Sequence, residues 1–96
     1  MASIIFSDEY AILPGLMVEQ RRLAGLSQRA VADRLGRSQS HVYKMETGQR
    51  RIELIEFCRY IAAAGGDPVL ALTDLLARLD ACRDADPARH RPRAAA

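Results

Sequence analysis

Regularly spaced glycines limit the fold of this 96-residue chain more than any other feature of its sequence. Each follows a run with apolar residues at helical spacing, and glycine is the residue that most often ends a helix. These stops are Gly25, Gly36, Gly48 and the pair Gly65-Gly66. Residues that can cap a following helix come one or two positions later, namely Ser27, Ser38 and Asp67. The chain is therefore predicted to form short helices joined by tight turns.

Apolar periodicity predicts five helices and places strand signals only in the N-terminal arm. The predicted helices cover about 14–24, 28–35, 39–47, Ile52 to the Gly65-Gly66 stop, and 68–82. We expect an arm over 1–12, a compact domain over 13–82 and a flexible tail over 83–96. The tail from Asp84 has no aliphatic residue larger than alanine, so it buries too little surface to offset the entropy of ordering. The fold class predicted is all-α.

Length and composition favour a single globular domain inside the cell. Apolar residues make up 49% and charged residues 27%, which are ordinary values for a folded protein. No apolar run approaches the roughly 18 residues that span a bilayer, and the N-terminus lacks the basic start of a signal peptide. Cys58 and Cys82 are too far apart for a CxxC motif. We therefore expect a cytoplasmic protein with no membrane contact, no metal and no cofactor.

Positive charge is concentrated in the middle third of the chain. Residues 1–20 carry a net charge of −3, residues 21–51 carry +6, and the remainder carries −1. The cations of the middle segment are Arg21, Arg22, Arg29, Arg34, Arg37, Lys44, Arg50 and Arg51, against Asp33 and Glu46. Such a cluster within a folded segment is typical of a surface that binds a polyanion such as nucleic acid, although a solvated helix face remains an alternative.

The spacing within residues 28–47 is that of a helix-turn-helix. Two helices that cross over a short turn need a small residue where they approach, a turn residue that tolerates positive φ, and apolar residues on the inner face of the second helix. Ala32, Gly36, Val42 and Met45 supply these in order, four residues separating the first two and six separating Gly36 from Val42.

From Arg21 to Gly48 the chain resembles the Cro and phage-repressor family of helix-turn-helix regulators, also called the XRE family. The matching residues are the run Gly25–Gln28, Ala32, Leu35-Gly36, Ser38, Val42, Glu46 and Gly48. The resemblance implies a five-helix, phage-repressor-like DNA-binding domain that acts as a transcriptional regulator, usually a repressor. One departure is the absence of an acid shortly after Gln28, so the second helix starts without a capping-box carboxylate.

The resemblance also implies roles for single residues. The helix from Gln39 would lie in the major groove of double-stranded DNA, with Gln39, Ser40, His41 and Lys44 toward the base edges. Phosphate contacts would come from Gln28, Arg37, Tyr43, Arg50 and Arg51, with Gln28 assisted by the helix N-terminus. Arg21 and Glu46 match family positions that pair structurally. There are alternatives to these roles. Gln39 and Ser40 could be exposed residues that simply start a helix, and His41 could be an ordinary exposed histidine.

Members of this family bind as dimers, so a self-association surface is expected. Its candidates are Val69, Leu72, Leu76 and Leu79 on the fifth helix, or the arm at Ile4–Phe6; completion of the monomer core is the alternative for the fifth helix. Arginines of the tail would add phosphate contacts or do nothing. A second function is an antitoxin or adaptor that binds a partner protein. An enzyme is not expected, because no nucleophile set, paired carboxylates or phosphate loop is recognisable.

Overall fold

The computed structural model describes residues 8–84, and these form five helices without a strand. The helices are α1 (Asp8–Leu23), α2 (Gln28–Leu35), α3 (Gln39–Glu46), α4 (Leu54–Ala63) and α5 (Pro68–Asp84). The predicted all-α class is confirmed. Residues 1–7, with the proposed arm contact at Ile4–Phe6, and residues 85–96 of the tail lie outside the described part.

The predicted start of the first helix was wrong, because α1 begins at Asp8 and carries Pro14 in its interior. Residues 8–12, predicted as part of the arm, are therefore helical. Proline inside a helix removes one backbone hydrogen bond, so packing has to compensate. Pro14 is buried, and its ring lies close to Gly48: a Cβ atom added to this glycine would be 3.9 Å from the Cγ atom of Pro14. The hydroxyl of Tyr10 also accepts a hydrogen bond of 2.8 Å from the N–H of Ile52, which ties the first turns of α1 to the segment before α4.

Local capping explains why α2 and α3 lie where the sequence predicts them. The Ser27 hydroxyl accepts from the N–H of Ala30, and the Ser38 hydroxyl from the N–H of His41, both at 3.1 Å. Gly36 adopts φ 67°, a left-handed conformation that suits glycine, and this turns the chain from α2 into α3. A rigid turn of two residues, Arg37 and Ser38, therefore separates Gly36 from the start of α3.

The last two helices differ slightly from their predicted limits. α4 starts at Leu54 rather than Ile52, because Glu53 is the capping residue and its N–H donates to the Glu56 carboxylate at 3.2 Å. α5 starts at Pro68 as predicted, with the Asp67 carboxylate accepting from the N–H of Val69 at 2.9 Å. It runs to Asp84, two residues beyond the predicted end.

One apolar core is shared by all five helices. α3 packs against α1 and α2, α4 packs against α1, α2 and α5, and α5 also packs against α1. The largest side chains that are fully buried are Tyr60, Leu16, Met17, Met45, Ile61, Val31 and Val42. Val42 and Met45 lie on the inner face of α3, so burying them fixes which side of this helix faces outward.

The carboxylate of Glu46, at the end of α3, is buried in this core with only 2% of its side chain exposed. Arg21 of α1 donates two hydrogen bonds to it, from Nε at 2.7 Å and from a terminal nitrogen at 2.9 Å. Tyr60 of α4 donates from its hydroxyl at 2.6 Å, and Gln28 of α2 from its amide nitrogen at 3.0 Å. Arg21 also donates to the carbonyl of Leu26 at 3.0 Å. The predicted pair of Arg21 and Glu46 is thus formed, within a network that joins four helices.

Burial and hydrogen bonding act in opposite directions on the Glu46 carboxyl. Burial raises its pKa, but the hydrogen bonds from Arg21, Tyr60 and Gln28 lower it more, and the net pKa is below the ordinary value of 4.5. Burial, followed by its hydrogen bond to Glu46, raises the pKa of Tyr60, which therefore stays a neutral donor. The network at neutral pH contains an ionised Glu46 with three donor side chains around it.

Removing the Glu46 carboxylate is expected to destabilise the protein strongly. Glu46→Ala leaves the Arg21 guanidinium buried without its partner, and breaking a buried ion pair on one side costs about 3–5 kcal/mol. Urea denaturation followed by circular dichroism measures the change. Glu19→Ala is the matched control, because it breaks the ion pair between Glu19 and Arg78 at the surface, where the Glu19 side chain is 54% exposed. This change should cost no more than about 1 kcal/mol. Equal losses in the two variants would contradict the prediction.

The same carboxylate predicts how stability depends on acid. Its pKa is lower in the folded state than in the unfolded chain, so its contribution is present above about pH 4.5 and is lost as the pH falls through the folded-state value. Glu46→Gln cannot ionise at this position. We expect the gap in free energy of unfolding between wild type and Glu46→Gln to narrow steadily below pH 4.5. Denaturation curves from pH 7 to pH 2 test this, and a constant gap would contradict it.

Candidate nucleic-acid interface

The outward face of α3 is formed by polar side chains opposite the buried ones. Residues three and four apart in a helix share a face, so burial of Val42, Met45 and Glu46 turns the other side of α3 to solvent. The exposed residues of α3 are Gln39, Ser40, Tyr43 and Lys44, of which Ser40 and Lys44 lie opposite the buried ones and Gln39 and Tyr43 lie on the flank. Three of the four predicted base-reading residues therefore share an accessible face, next to Tyr43.

His41, the fourth predicted base-reading residue, is less exposed than the other three. Its side chain is 21% exposed, and its Nε2 lies 3.6 Å from a carboxylate oxygen of Glu56 on α4. Partial burial lowers the pKa of His41, and the nearby charge of Arg50 lowers it further, although Glu56 acts in the opposite direction. His41 therefore lies at the edge of the exposed face, turned toward α4, and it is neutral at physiological pH.

The structure divides the predicted phosphate-binding residues into exposed and engaged groups. Arg37, Tyr43 and Arg51 are exposed, and neither arginine forms an ion pair within residues 8–84. Arg37 lies in the turn before α3 and Arg51 in the segment after it, so cations stand at both ends of this helix. Positive charges therefore lie at both ends of the exposed face of α3, and hydrogen-bonding side chains lie between them.

Gln28 and Arg50 are engaged within the protein. The sequence predicts that Gln28 faces solvent and binds phosphate. Instead, the amide nitrogen of Gln28 donates to Glu46, so this donor points toward the buried carboxylate. The reason is that the buried carboxylate requires several donors once it leaves water. Arg50 contacts the Glu56 carboxylate with a terminal nitrogen, and its Nε is buried with no partner in the described residues. Both residues are near α3, but the Gln28 amide nitrogen and one terminal nitrogen of Arg50 are engaged within the protein.

Two residues of this region were missed by the sequence analysis. Glu56 contacts Arg50 and His41 while capping α4, and Tyr60 completes the shell of donors around Glu46. The pattern of Glu53 followed by Glu56 before an apolar run resembles a capping box and was a usable signal for Glu56. Nothing local indicates Tyr60, because its partner is 14 residues away.

A small cleft of about 80 Å³ lies between the turn before α3 and the start of α4. Its ionisable lining residues are Arg37, His41, Glu53, Glu56 and Arg59. Within residues 8–84 no group of His, Cys, Asp or Glu side chains is arranged to hold a metal ion. Over the same residues no helix is long and apolar enough to cross a bilayer.

A second exposed surface lies on α5. Val69, Leu72 and Leu76 are 71%, 38% and 55% exposed, and Leu79 is half-buried beside them. Their spacing of three and four residues places all four on one side of the helix. Ala71 is buried, and it lies on the side of α5 that packs against the domain. The four predicted self-association residues therefore form a continuous apolar stripe, which we call the α5 stripe.

Comparison with known proteins agrees with this geometry. The family model described as a helix-turn-helix domain matches residues 18–91. Among solved structures, an XRE-family like protein from Pseudomonas syringae pv. tomato str. DC3000 is 41% identical in sequence, with a TM-score of 0.69. That match covers 73% of this chain and 85% of the other. No curated protein matches the chain.

Proposed function

The chain belongs to the XRE-type helix-turn-helix family of DNA-binding regulators, and on that premise we propose that it is a sequence-specific repressor that inserts α3 into the major groove as a homodimer. The observation that carries this proposal is the exposed polar face of α3, flanked by cations and held in orientation by the buried Glu46 network. Occupation of a promoter by such a domain would exclude the transcription machinery. Its place of action would be the cytoplasm, on the nucleoid.

Base readout in this proposal comes from Gln39, Ser40 and Lys44. The glutamine amide matches the N6 and N7 edge of adenine, the lysine donates to guanine O6 or N7, and serine contacts several bases. Gln39 and Ser40 open the helix, which is the end that enters the groove most deeply in helix-turn-helix proteins. His41 would then contact DNA only at the edge of the interface, because its side chain faces Glu56.

Backbone contacts come from Arg37, Tyr43 and Arg51 in this proposal. Arg37 and Arg51 flank α3 in the chain and are exposed, so their guanidinium groups are free to meet phosphates on the two sides of the groove. Such contacts supply affinity and register without reading sequence. Gln28 would contribute through the backbone at the start of α2 rather than through its amide nitrogen, which donates to Glu46.

The two classes of contact predict different behaviour on DNA. Lys44→Ala should lose about 1–3 kcal/mol of preference for the operator over scrambled duplex. Arg51→Ala should weaken both duplexes alike and reduce the slope of log K against log salt by about 1. Fluorescence anisotropy with DNA from the upstream region of its own gene and with scrambled duplex, from 50 to 200 mM salt, measures both effects. Arg83→Ala, an exposed cation on α5, is the control.

Binding of neither duplex, or binding without a salt slope, would refute the DNA-binding proposal itself. Binding with a slope but equal affinity for all sequences would refute sequence-specific recognition alone. A loss of preference in Arg51→Ala, with none in Lys44→Ala, would reverse the assigned roles.

The α5 stripe supports the homodimer in this proposal. Exposed, contiguous apolar side chains are a common mark of a protein interface, and a single recognition helix offers little specificity by itself. Two chains joined through this stripe would bury the same residues from each side, as a two-fold axis requires. The same apolar stripe is the feature that favours the second candidate function, an antitoxin or adaptor that holds a different protein.

A charge within the stripe is expected to separate the chains. Leu76→Asp puts a carboxylate at the centre of the proposed interface, whereas Leu70→Asp makes the same change on the other side of α5, at a residue 68% exposed. Sedimentation equilibrium should give a dimer for wild type and Leu70→Asp and a monomer for Leu76→Asp. A wild-type monomer would refute the homodimer, and a stable stoichiometric complex with another protein through the stripe would favour the adaptor.

A further inference from the structure

Glu56 is an acidic side chain in the most basic part of the surface. Its carboxylate contacts a terminal nitrogen of Arg50 and lies 3.6 Å from Nε2 of His41, and only 17% of its side chain is exposed. It also accepts from the N–H of Glu53 at 3.2 Å, so the start of α4 holds it in place. Arg37 and Arg59 line the same cleft. Glu56 therefore places a fixed negative charge in a cleft lined by a second acid, Glu53, and by two arginines, and Glu56 is the acid that contacts Arg50.

The pairing occupies one terminal nitrogen of the Arg50 guanidinium and places a carboxylate beside the group. This side chain is 38% exposed, so it lies at the surface, but one terminal nitrogen is taken by Glu56 and Nε is buried. Hydrogen bonding to Arg50 lowers the pKa of Glu56, which is therefore ionised at physiological pH. A phosphate that approaches Arg50 would have to displace or lie beside an existing carboxylate of the same sign.

We propose that Glu56 is a positioning residue that holds Arg50 against α4 and thereby withholds one cation from the DNA backbone. This inference rests on the proposed DNA-binding function and adds to it a built-in limit on affinity. Because the withheld contact is to phosphate, it carries no sequence information, and its effect is equal on every duplex. The device lowers affinity for operator and non-operator DNA by the same factor and leaves base readout unaltered.

Neutralising Glu56 tests the inference. Glu56→Gln keeps the shape of the side chain and an acceptor for the Glu53 N–H, but it releases Arg50 to pair with phosphate. One additional phosphate contact steepens the slope of log K against log salt by about 0.9. The expected gain in affinity is about tenfold at 50 mM salt and about threefold at 200 mM, on operator and scrambled duplex alike. Fluorescence anisotropy titrations measure both quantities.

Two further variants separate the contact from a general change in charge. Glu53→Gln makes the same change in net charge three residues earlier, at a side chain that acts on Arg50 through its charge but forms no ion pair with it in the described residues, and it should change the slope much less. Arg50→Ala combined with Glu56→Gln should remove the gain. Thermal unfolding by circular dichroism checks that each variant is folded.

The outcomes distinguish the two proposals. Wild-type protein that binds no duplex refutes the DNA-binding function, and the inference with it. If wild type binds with a salt slope and the slope of Glu56→Gln is unchanged, the inference alone is refuted, because Glu56 would then have no effect on the phosphate contact. A shallower slope in Glu56→Gln also refutes it, because Glu56 would then present Arg50 to phosphate. An equal gain in Glu53→Gln, or a gain that persists without Arg50, also overturns it.

Discussion

The orientation of α3 depends on the buried carboxylate of Glu46. An ionised group removed from water needs hydrogen bonds to nearly all of its lone pairs, and here they come from Arg21, Gln28 and Tyr60 on three other helices. The geometry is satisfied only when α1, α2 and α4 meet the end of α3 in one arrangement. Apolar contacts alone tolerate small rotations of a helix, whereas four directed hydrogen bonds do not. The network therefore specifies the packing of α3 beyond what the surrounding core provides.

The exposed face of α3 follows from this constraint. Each residue turns the helix by about 100°, so placing Glu46 and Val42 inward leaves Ser40 and Lys44 on the opposite side. The cations that flank this face come from the turn before α3 and the segment after it, and both are short. Gly36 fixes the first of these segments, and the hydrogen bond between Tyr10 and Ile52 anchors the second. The exposed face of α3 is thus held between two short connections, each fixed by a local conformation or a hydrogen bond.

Sequence patterns predicted the elements whose limits are set locally. α2 and the start of α3 depend on Ser27, Gly36 and Ser38, which act within four residues of themselves, and both were placed correctly. The start of α1 was missed, because proline favours a first turn, whereas here α1 begins six residues before Pro14 and the proline is buried in its interior. The inward turn of His41 and the engagement of Gln28 depend on Glu56 and Glu46, which lie 15 and 18 residues away. Contacts of that kind leave no periodic signal in a single sequence.

The charge of the interface shows why position along the chain is an incomplete guide to electrostatics. Residues 21–51 carry a net charge of +6, but Arg21 is neutralised inside the protein by Glu46 and contributes little to the outer field. Arg50 is paired with Glu56, an acid that belongs to the next segment of the chain. Of the exposed cations in this segment, Lys44 lies on α3 with Arg37 and Arg51 at its two ends, whereas Arg22, Arg29 and Arg34 lie on α1 and α2. Folding thus leaves only some charges of this basic segment accessible. These charges hold fixed positions around α3, and they determine how strongly the domain attracts a polyanion.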